Sequence, residues 1–241
     1  GTDTKTPVFD DEAFVMAENI RQVVGSKQFM RYKRALLVIY EDGTVGCLQQ
    51  YNQPATPVPG TCGESVLTAD ELCWYFSEAT GKGNNNPYLM HLVVRKGSDY
   101  FLYVYNARSH SSANDPLTLK TVVPIPAGVG REAAVWFGAF STRYGFYAVG
   151  NRIMKFDYLN ITQFAPEEKP FRLYDDKYEI VDVFVLIAGT ALSDKDDCTV
   201  VYLYDREKKT TTIDVYNTLT GEDLHTYEDI LPGRGVDFIK K

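Results

Sequence analysis

The sequence predicts an all-β protein of the β-propeller class, and three observations predict it. A run of β-forming residues ends four times in a tyrosine followed at once, or after one residue, by an asparagine. The tyrosines are separated by 54, 53 and 58 residues, and they are Tyr51, Tyr105, Tyr158 and Tyr216. A glycine stands eight residues before each of the first three tyrosines. A period near fifty residues that is filled with short strands is typical of propeller blades.

The same order of strands recurs in each period. The predicted first strands are residues 28–33, 72–76, 133–140 and 180–188. The predicted second strands are residues 35–40, 88–94, 144–149 and 199–204. A hairpin turn rich in Gly, Asn and Asp follows, and a third strand then leads to the tyrosine. More polar fourth strands are predicted at residues 117–123, 170–174 and 224–227, as expected for the outer edge of a blade.

The middle strands of the repeat indicate how the blades are covered. Residues 100–105 and 200–204 are apolar or aromatic at every position, without alternation. Continuous apolar strands are covered on both faces, as sheets stacked in a propeller are. A parallel α/β sheet would give the same pattern, but no long amphipathic helical stretch separates these strands.

The two ends of the sequence bear on the number of blades. Residues 235–241 resemble the first strand of another blade, and residues 7–9 and 13–20 could be strands that precede the first full repeat. We expect four full four-stranded blades with a fifth shared between the termini; an incomplete array from a longer protein is the alternative. Residues 1–241 are interpreted as one propeller domain and as a fragment of a longer protein.

Charge and composition exclude several classes of function. The net charge is −7 and no block of basic residues is present, so nucleic acid is not an expected partner. The longest nearly apolar stretch, residues 183–192, is about half the length that crosses a bilayer, so no transmembrane segment is predicted. The three histidines have no neighbours at metal-ligand spacing, and the acidic residues 193–197 are interpreted as a solvated loop. No metal site and no cofactor are predicted.

The cysteines leave two interpretations open. Cys62 and Cys73 are close enough in sequence to form a disulfide in an oxidising compartment. The alternative, which we favour, is that all four cysteines are buried or idle thiols, since cysteine behaves as a small apolar residue.

No catalytic set of residues is found, and the candidate site is one for ligand binding. His91 lies inside a strand and is interpreted as a core histidine. Trp74 and Trp136 occupy equivalent repeat positions, which favours packing between blades over stacking on a sugar. Propeller topology predicts a ligand site where the loops entering the first strands meet the second-to-third turns. The charged residues there are Glu41, Lys96, Arg131, Arg206 and Arg234. The repeats differ most in the long loops 53–69, 78–87 and 189–197, where a site is also expected.

Four segments of the sequence resemble a known protein family. IYEDGTVGCLQQYN, YFLYVYN, DVYNTLTGE and the closing GRGVDFIKK resemble the C-terminal β-propeller region of the PKD-like family lipoproteins of Bacteroidetes. The resemblance spans most of the chain and includes no catalytic motif. It implies a lipid-anchored precursor exported to the cell envelope, periplasm or outer-membrane surface, with the anchor cysteine upstream of this sequence. It also implies an association with nutrient capture, especially of glycans.

Three functions are compared on this basis. The leading hypothesis is a non-catalytic propeller that binds a glycan or protein partner at the cell envelope. The second is a glycan-active hydrolase or lyase, which needs two converging carboxylates. Asp182 and Asp237 occupy similar places on first strands and form the pair to test. The third is a structural spacer within a larger lipoprotein.

Overall fold

The protein is a four-bladed β-propeller in the part of the chain that the structure describes. The computed structural model describes residues 15, 17–25, 36–48, 53–61, 63–79, 88–106, 117–129, 136–138, 144–157, 159–186 and 197–234. These residues form sixteen strands in four four-stranded antiparallel sheets, and no helix. Each sheet takes its strands in chain order. The predicted fold class is confirmed. Among the described residues there is no helix with the length and apolarity that a membrane span requires.

Each sheet is one blade. The first blade consists of β1 (Ile20–Gly25), β2 (Leu36–Tyr40), β3 (Val45–Leu48) and β4 (Thr56–Pro57). The second consists of β5 (Glu71–Ala79), β6 (Tyr88–Lys96), β7 (Asp99–Asn106) and β8 (Thr118–Ile125). The third consists of β9 (Trp136–Gly138), β10 (Tyr144–Val149), β11 (Arg152–Asp157) and β12 (Arg172–Leu173). The fourth consists of β13 (Tyr178–Leu186), β14 (Cys198–Asp205), β15 (Thr210–Asn217) and β16 (Asp223–Pro232).

Left-handed residues set the hairpin turns between the second and third strands. Gly43, Gly97 and Gly150 have φ angles of 87°, 61° and 59°, a conformation that glycine adopts without a steric penalty. Lys209 has the equivalent role in the fourth blade, with a φ of 57°. The glycine phase seen in the sequence therefore marks the turns, as predicted.

Apolar clusters fill the junctions between successive blades. Leu37 and Tyr75 belong to the cluster between the first two blades, and Phe146 and Tyr216 to the cluster between the last two. The first strands lie next to one another, since β5 contacts β1 and β9, and β9 contacts β13.

The second and third blades are covered by clusters on both sides, which is why residues 100–105 do not alternate. The two-sided cover predicted for residues 200–204 is found only in part: Val201 and Leu203 lie in the cluster toward the third blade, whereas Tyr202 and Tyr204 are half-buried.

The two tryptophans lie at the junction between the second and third blades. Trp74 and Trp136 have ring centroids 5.9 Å apart, and both side chains are buried. The predicted packing role is confirmed. His91 is also fully buried, with its ring centroid 6.5 Å from that of Phe156, as expected for a core histidine.

The first blade differs from the prediction. Its first strand is β1, which pairs with β2, whereas the predicted first strand at residues 28–33 lies outside the described residues. The Gln22 side chain holds β1 against the second blade, because its amide donates to the carbonyl oxygen of Leu72 and accepts from the Leu72 N–H, both at 2.9 Å. Two of the segments proposed for a fifth blade, residues 7–9 and 235–241, lie outside the described residues. Of the third, residues 13–20, the structure describes 15 and 17–20, and among these only Ile20 belongs to a strand, as the first residue of β1.

Candidate functional site

Two of the predicted binding residues lie near the junction of the first and second blades. Glu41 is exposed after β2, and its backbone N–H donates to the carbonyl oxygen of Asn19 at 2.8 Å. Lys96 ends β6, where its Nζ lies 3.1 Å from Oε2 of Glu64 and 5.6 Å from the ring centroid of Tyr103. Lys96 also lines a shallow depression of about 190 Å³ with residues 42–43 and 68–70.

Two further predicted residues belong to the fourth blade. Arg206 follows β14 and donates from Nη1 to the carbonyl oxygen of Asp176 at 2.9 Å. Arg234 follows β16 and donates to both carboxylate oxygens of Glu179, at 2.8 and 2.6 Å. Its guanidinium lies 5.7 Å from the ring centroid of Tyr204. Arg206 is therefore held by the connection between β12 and β13, and Arg234 by β13 of its own blade.

The remaining predicted site residues fall partly outside the described residues. Arg131 and Asp237 lie there, so a common site of all five charged residues, and the carboxylate pair of the hydrolase hypothesis, stay predictions. Asp182 lies on β13, where its Oδ1 accepts a hydrogen bond from the N–H of Val183 at 2.8 Å.

The disulfide interpretation is wrong in this structure. Cys73 is buried in the cluster between the second and third blades and forms no disulfide. Burial raises the pKa of the Cys73 thiol to about 12. Cys62 lies outside the described residues.

A groove in the third blade is the candidate functional site. It has a volume of about 430 Å³ and lies between β11 and the connection that leads to β12. We call it the β11 groove, and its lining consists of Tyr147 and residues 154–157, 160–165 and 168–171. Volumes of this size are usual for binding sites in proteins.

The groove exists because the fourth strand of this blade is short. In the second blade β8 pairs with β7 from Tyr100 to Asn106, but β12 pairs only with Arg152 and Ile153. The N–H of Phe171 still donates to the carbonyl oxygen of Ile153 at 2.9 Å. Beyond it the chain reaches Pro170, which has no N–H to continue the ladder. The predicted fourth strand at residues 170–174 is therefore only two residues long.

The floor of the β11 groove is aromatic. Phe164 lies with its ring centroid 5.4 Å from that of Tyr147 and 5.8 Å from that of Phe156. All three side chains are largely buried, so their packed rings form a rigid floor. Burial raises the pKa of Tyr147, although a hydrogen bond with the Ala165 backbone opposes the shift. Its side chain stays a neutral phenol at physiological pH.

The rim of the groove is polar and mixed in charge. Its exposed residues are Lys155, Asn160, Thr162, Gln163, Glu168 and Lys169. The connection begins in a turn that the Asp157 carboxylate shapes, because its Oδ1 accepts the N–H of Leu159 at 2.9 Å and that of Asn160 at 3.3 Å. An aromatic floor under a polar rim can bind and orient a ligand.

Sequence reasoning missed these groove residues. It placed the site in the second-to-third turns and in the longest loops, whereas the groove depends on how far a strand ladder extends. Pro166 and Pro170 within the connection are the signal that could have indicated it, because proline interrupts strand pairing.

The described residues contain no group of three or more His, Cys, Asp and Glu side chains that could hold a metal ion.

No family model matches the sequence, and a search of curated proteins finds no match.

Proposed function

We propose that this chain is a non-catalytic binding module of a bacterial cell-envelope lipoprotein, with a glycan or protein partner. The β11 groove is the observation that carries the proposal. It combines about 430 Å³ of concave space with an aromatic floor on a propeller scaffold. Functional sites on such scaffolds differ from one member to another, so the site and not the fold supports the proposal.

The two parts of the groove have different roles in binding. A ligand that covers the small part of the aromatic floor still exposed removes that apolar surface from water, which favours association by about 25 cal/mol per Å². The polar rim, which includes Asn160, Thr162 and Gln163, offers hydrogen bonds that fix the orientation of a ligand.

The envelope context rests on the resemblance of YFLYVYN and DVYNTLTGE to the PKD-like family lipoproteins of Bacteroidetes. Export and a lipid anchor upstream of this sequence are part of the proposal. Fractionation of the full-length gene product tests them, with metabolic labelling by a fatty-acid analogue. A cytoplasmic, unlabelled protein would overturn this part of the proposal and leave the binding function standing.

Binding is tested by calorimetry with purified envelope polysaccharides and purified envelope proteins. Thr162 is exposed and lines the groove, so Thr162→Trp should fill the groove and weaken binding at least tenfold. Glu167 is exposed in the same connection but does not line the groove, so Glu167→Trp is the matched control and should bind normally. Absence of binding to every ligand would overturn the proposal, and an equal loss in both variants would remove the groove from it.

A further inference from the structure

We propose that the β11 groove binds an extended polypeptide segment, which adds to the third blade as a strand beside β11. This inference rests on the proposed binding function and makes its partner a peptide rather than a glycan. It follows from the backbone of β11, the direction of its side chains and the charges of the rim.

The backbone of β11 has an open edge inside the groove. In an antiparallel ladder the N–H and C=O groups of alternate residues point to the same side. The carbonyl oxygen of Ile153 points to the outer side, where it accepts from Phe171, so the N–H and C=O of Lys155 point there too. Among the described residues, no backbone group is hydrogen-bonded to Lys155 on that side. An added strand would supply the missing donor and acceptor.

The side chains of β11 leave this edge accessible. Successive side chains of a strand point to opposite faces. The Nζ of Lys155 lies 4.2 Å from the ring centroid of Tyr144 and 5.0 Å from that of Phe171, on one face. Phe156 belongs to the aromatic floor on the other face. An incoming strand therefore meets the Lys155 backbone without displacing either side chain.

The floor and the rim describe the peptide that fits. Ile161, Phe156 and Phe164 offer an apolar surface for one side chain of the peptide. The rim carries two cations, Lys155 and Lys169, and the carboxylates Asp157 and Glu168. The charges of the rim balance, so we expect the central residues of the peptide to be uncharged and apolar. They should also exclude proline, because the added strand must supply an N–H.

Strand addition is tested first with a phage-displayed library of random heptapeptides selected on the immobilised chain. We expect enrichment of heptapeptides with an apolar central residue. Synthetic copies are then N-methylated at one amide at a time. Methylation of the amide that faces β11 should weaken binding at least tenfold, and methylation of its neighbours should have little effect. Binding that is equally sensitive or equally insensitive at every position would overturn strand addition.

The protein side is tested at Lys155. Lys155→Pro removes the outward N–H without removing a ladder bond to β10, while Lys155→Ala removes the side chain and keeps the N–H. We expect Lys155→Pro to bind the peptide at least tenfold more weakly than the unchanged protein, and Lys155→Ala to bind it normally. Circular dichroism shows whether Lys155→Pro folds. If this variant does not fold, the N-methylated peptides decide whether the peptide adds as a strand.

The outcomes separate this inference from the proposed function. Glycan binding that Thr162→Trp abolishes, without any enriched peptide, would overturn the peptide inference and support the binding function. Enriched peptides that bind Thr162→Trp normally would place the peptide site elsewhere and overturn the inference. Binding of neither glycans nor proteins nor peptides would overturn both.

Discussion

Arg172 and Asp214 join the third and fourth blades through a buried ion pair, with Nη2 of Arg172 2.8 Å from Oδ2 of Asp214. The hydroxyl of Tyr174 donates to the same oxygen at 2.7 Å, and the Arg172 guanidinium lies 4.6 Å from the ring centroid of Tyr216. Arg172 also pairs with Asp223. Because Arg172 begins β12, this network holds the end of the connection that forms the β11 groove.

Removing Arg172 should therefore destabilise the propeller strongly. The side chains of Arg172 and Asp214 are only 16% and 4% exposed, so Arg172→Met leaves a buried carboxylate without its cation. We expect the free energy of unfolding, measured by urea denaturation, to fall by about 3–5 kcal/mol.

An exposed ion pair provides the control for this prediction. Lys208 and Asp229 are paired at 2.9 Å with side chains 52% and 40% exposed, so Lys208→Met should cost less than about 1 kcal/mol. The double variant Arg172→Met, Asp214→Leu should recover part of the loss, because it buries no unpaired charge at this position. Equal costs for Arg172→Met and Lys208→Met would contradict the role given to the buried pair.

A methyl group at Gly145 should disturb the floor of the groove. Gly145 of β10 lies opposite Phe156 of β11, and a Cβ atom there would overlap the Phe156 ring. Overpacking of this kind costs about 1–3 kcal/mol, so Gly145→Ala should lower the free energy of unfolding by that amount. Displacement of Phe156 should also change the fluorescence of Trp136, whose ring centroid lies 6.1 Å away.

Gly25→Ala is the matched control for Gly145→Ala. A Cβ atom at Gly25 would lie 3.6 Å from Cδ2 of Leu36, an ordinary contact, so we expect little change in stability or fluorescence. A Gly145→Ala variant as stable as Gly25→Ala would show that Phe156 can move without cost, and the floor would then not be rigid.

The fold could be predicted from the sequence because the patterns that indicate it are local. These hairpin turns contain a left-handed residue, so a glycine such as Gly97 recurs in phase at the turns of the first three blades. The groove could not be predicted from the sequence, because it depends on the register in which strands pair with one another. Only the structure shows that β12 stops after pairing with Arg152 and Ile153, and that the Phe156 ring lies over Gly145.

Cys73 should be unreactive in the folded protein. Burial raises the pKa of its thiol to about 12, and the thiolate is the form that reacts with iodoacetamide. At pH 8 we expect labelling of Cys73 only after denaturation, as measured by mass spectrometry of the digested protein. Cys198 is less buried and serves as the internal comparison, with faster labelling expected in the folded protein. Rapid labelling of Cys73 at native conditions would contradict the burial of β5 against the third blade.

Asp205 should make the stability of the fourth blade depend on acid pH. Its Oδ1 accepts the backbone N–H groups of Lys208 and Glu207, both at 2.9 Å, and its Oδ2 lies 3.3 Å from Nζ of Lys177. These donors hold the pKa of Asp205 below its ordinary value of about 3.9. The unfolded chain therefore binds a proton at higher pH than the folded protein does. The stabilisation is fully present above about pH 4 and is lost as the pH falls through the folded pKa.

Asp205→Asn tests this dependence, because asparagine cannot ionise. We expect the free energy of unfolding of the unchanged protein, measured with urea between pH 7 and pH 2.5, to fall more steeply below about pH 4 than that of Asp205→Asn. Hydrogen bonds also lower the pKa values of Asp42 and Asp229. These two residues should therefore contribute to the fall in the free energy of unfolding at acid pH in both proteins. Glu207→Gln removes an exposed carboxylate from the same turn and should leave the steep fall intact. Equal slopes for the unchanged protein and Asp205→Asn would mean that the turn after β14 does not hold its carboxylate in the ionised form.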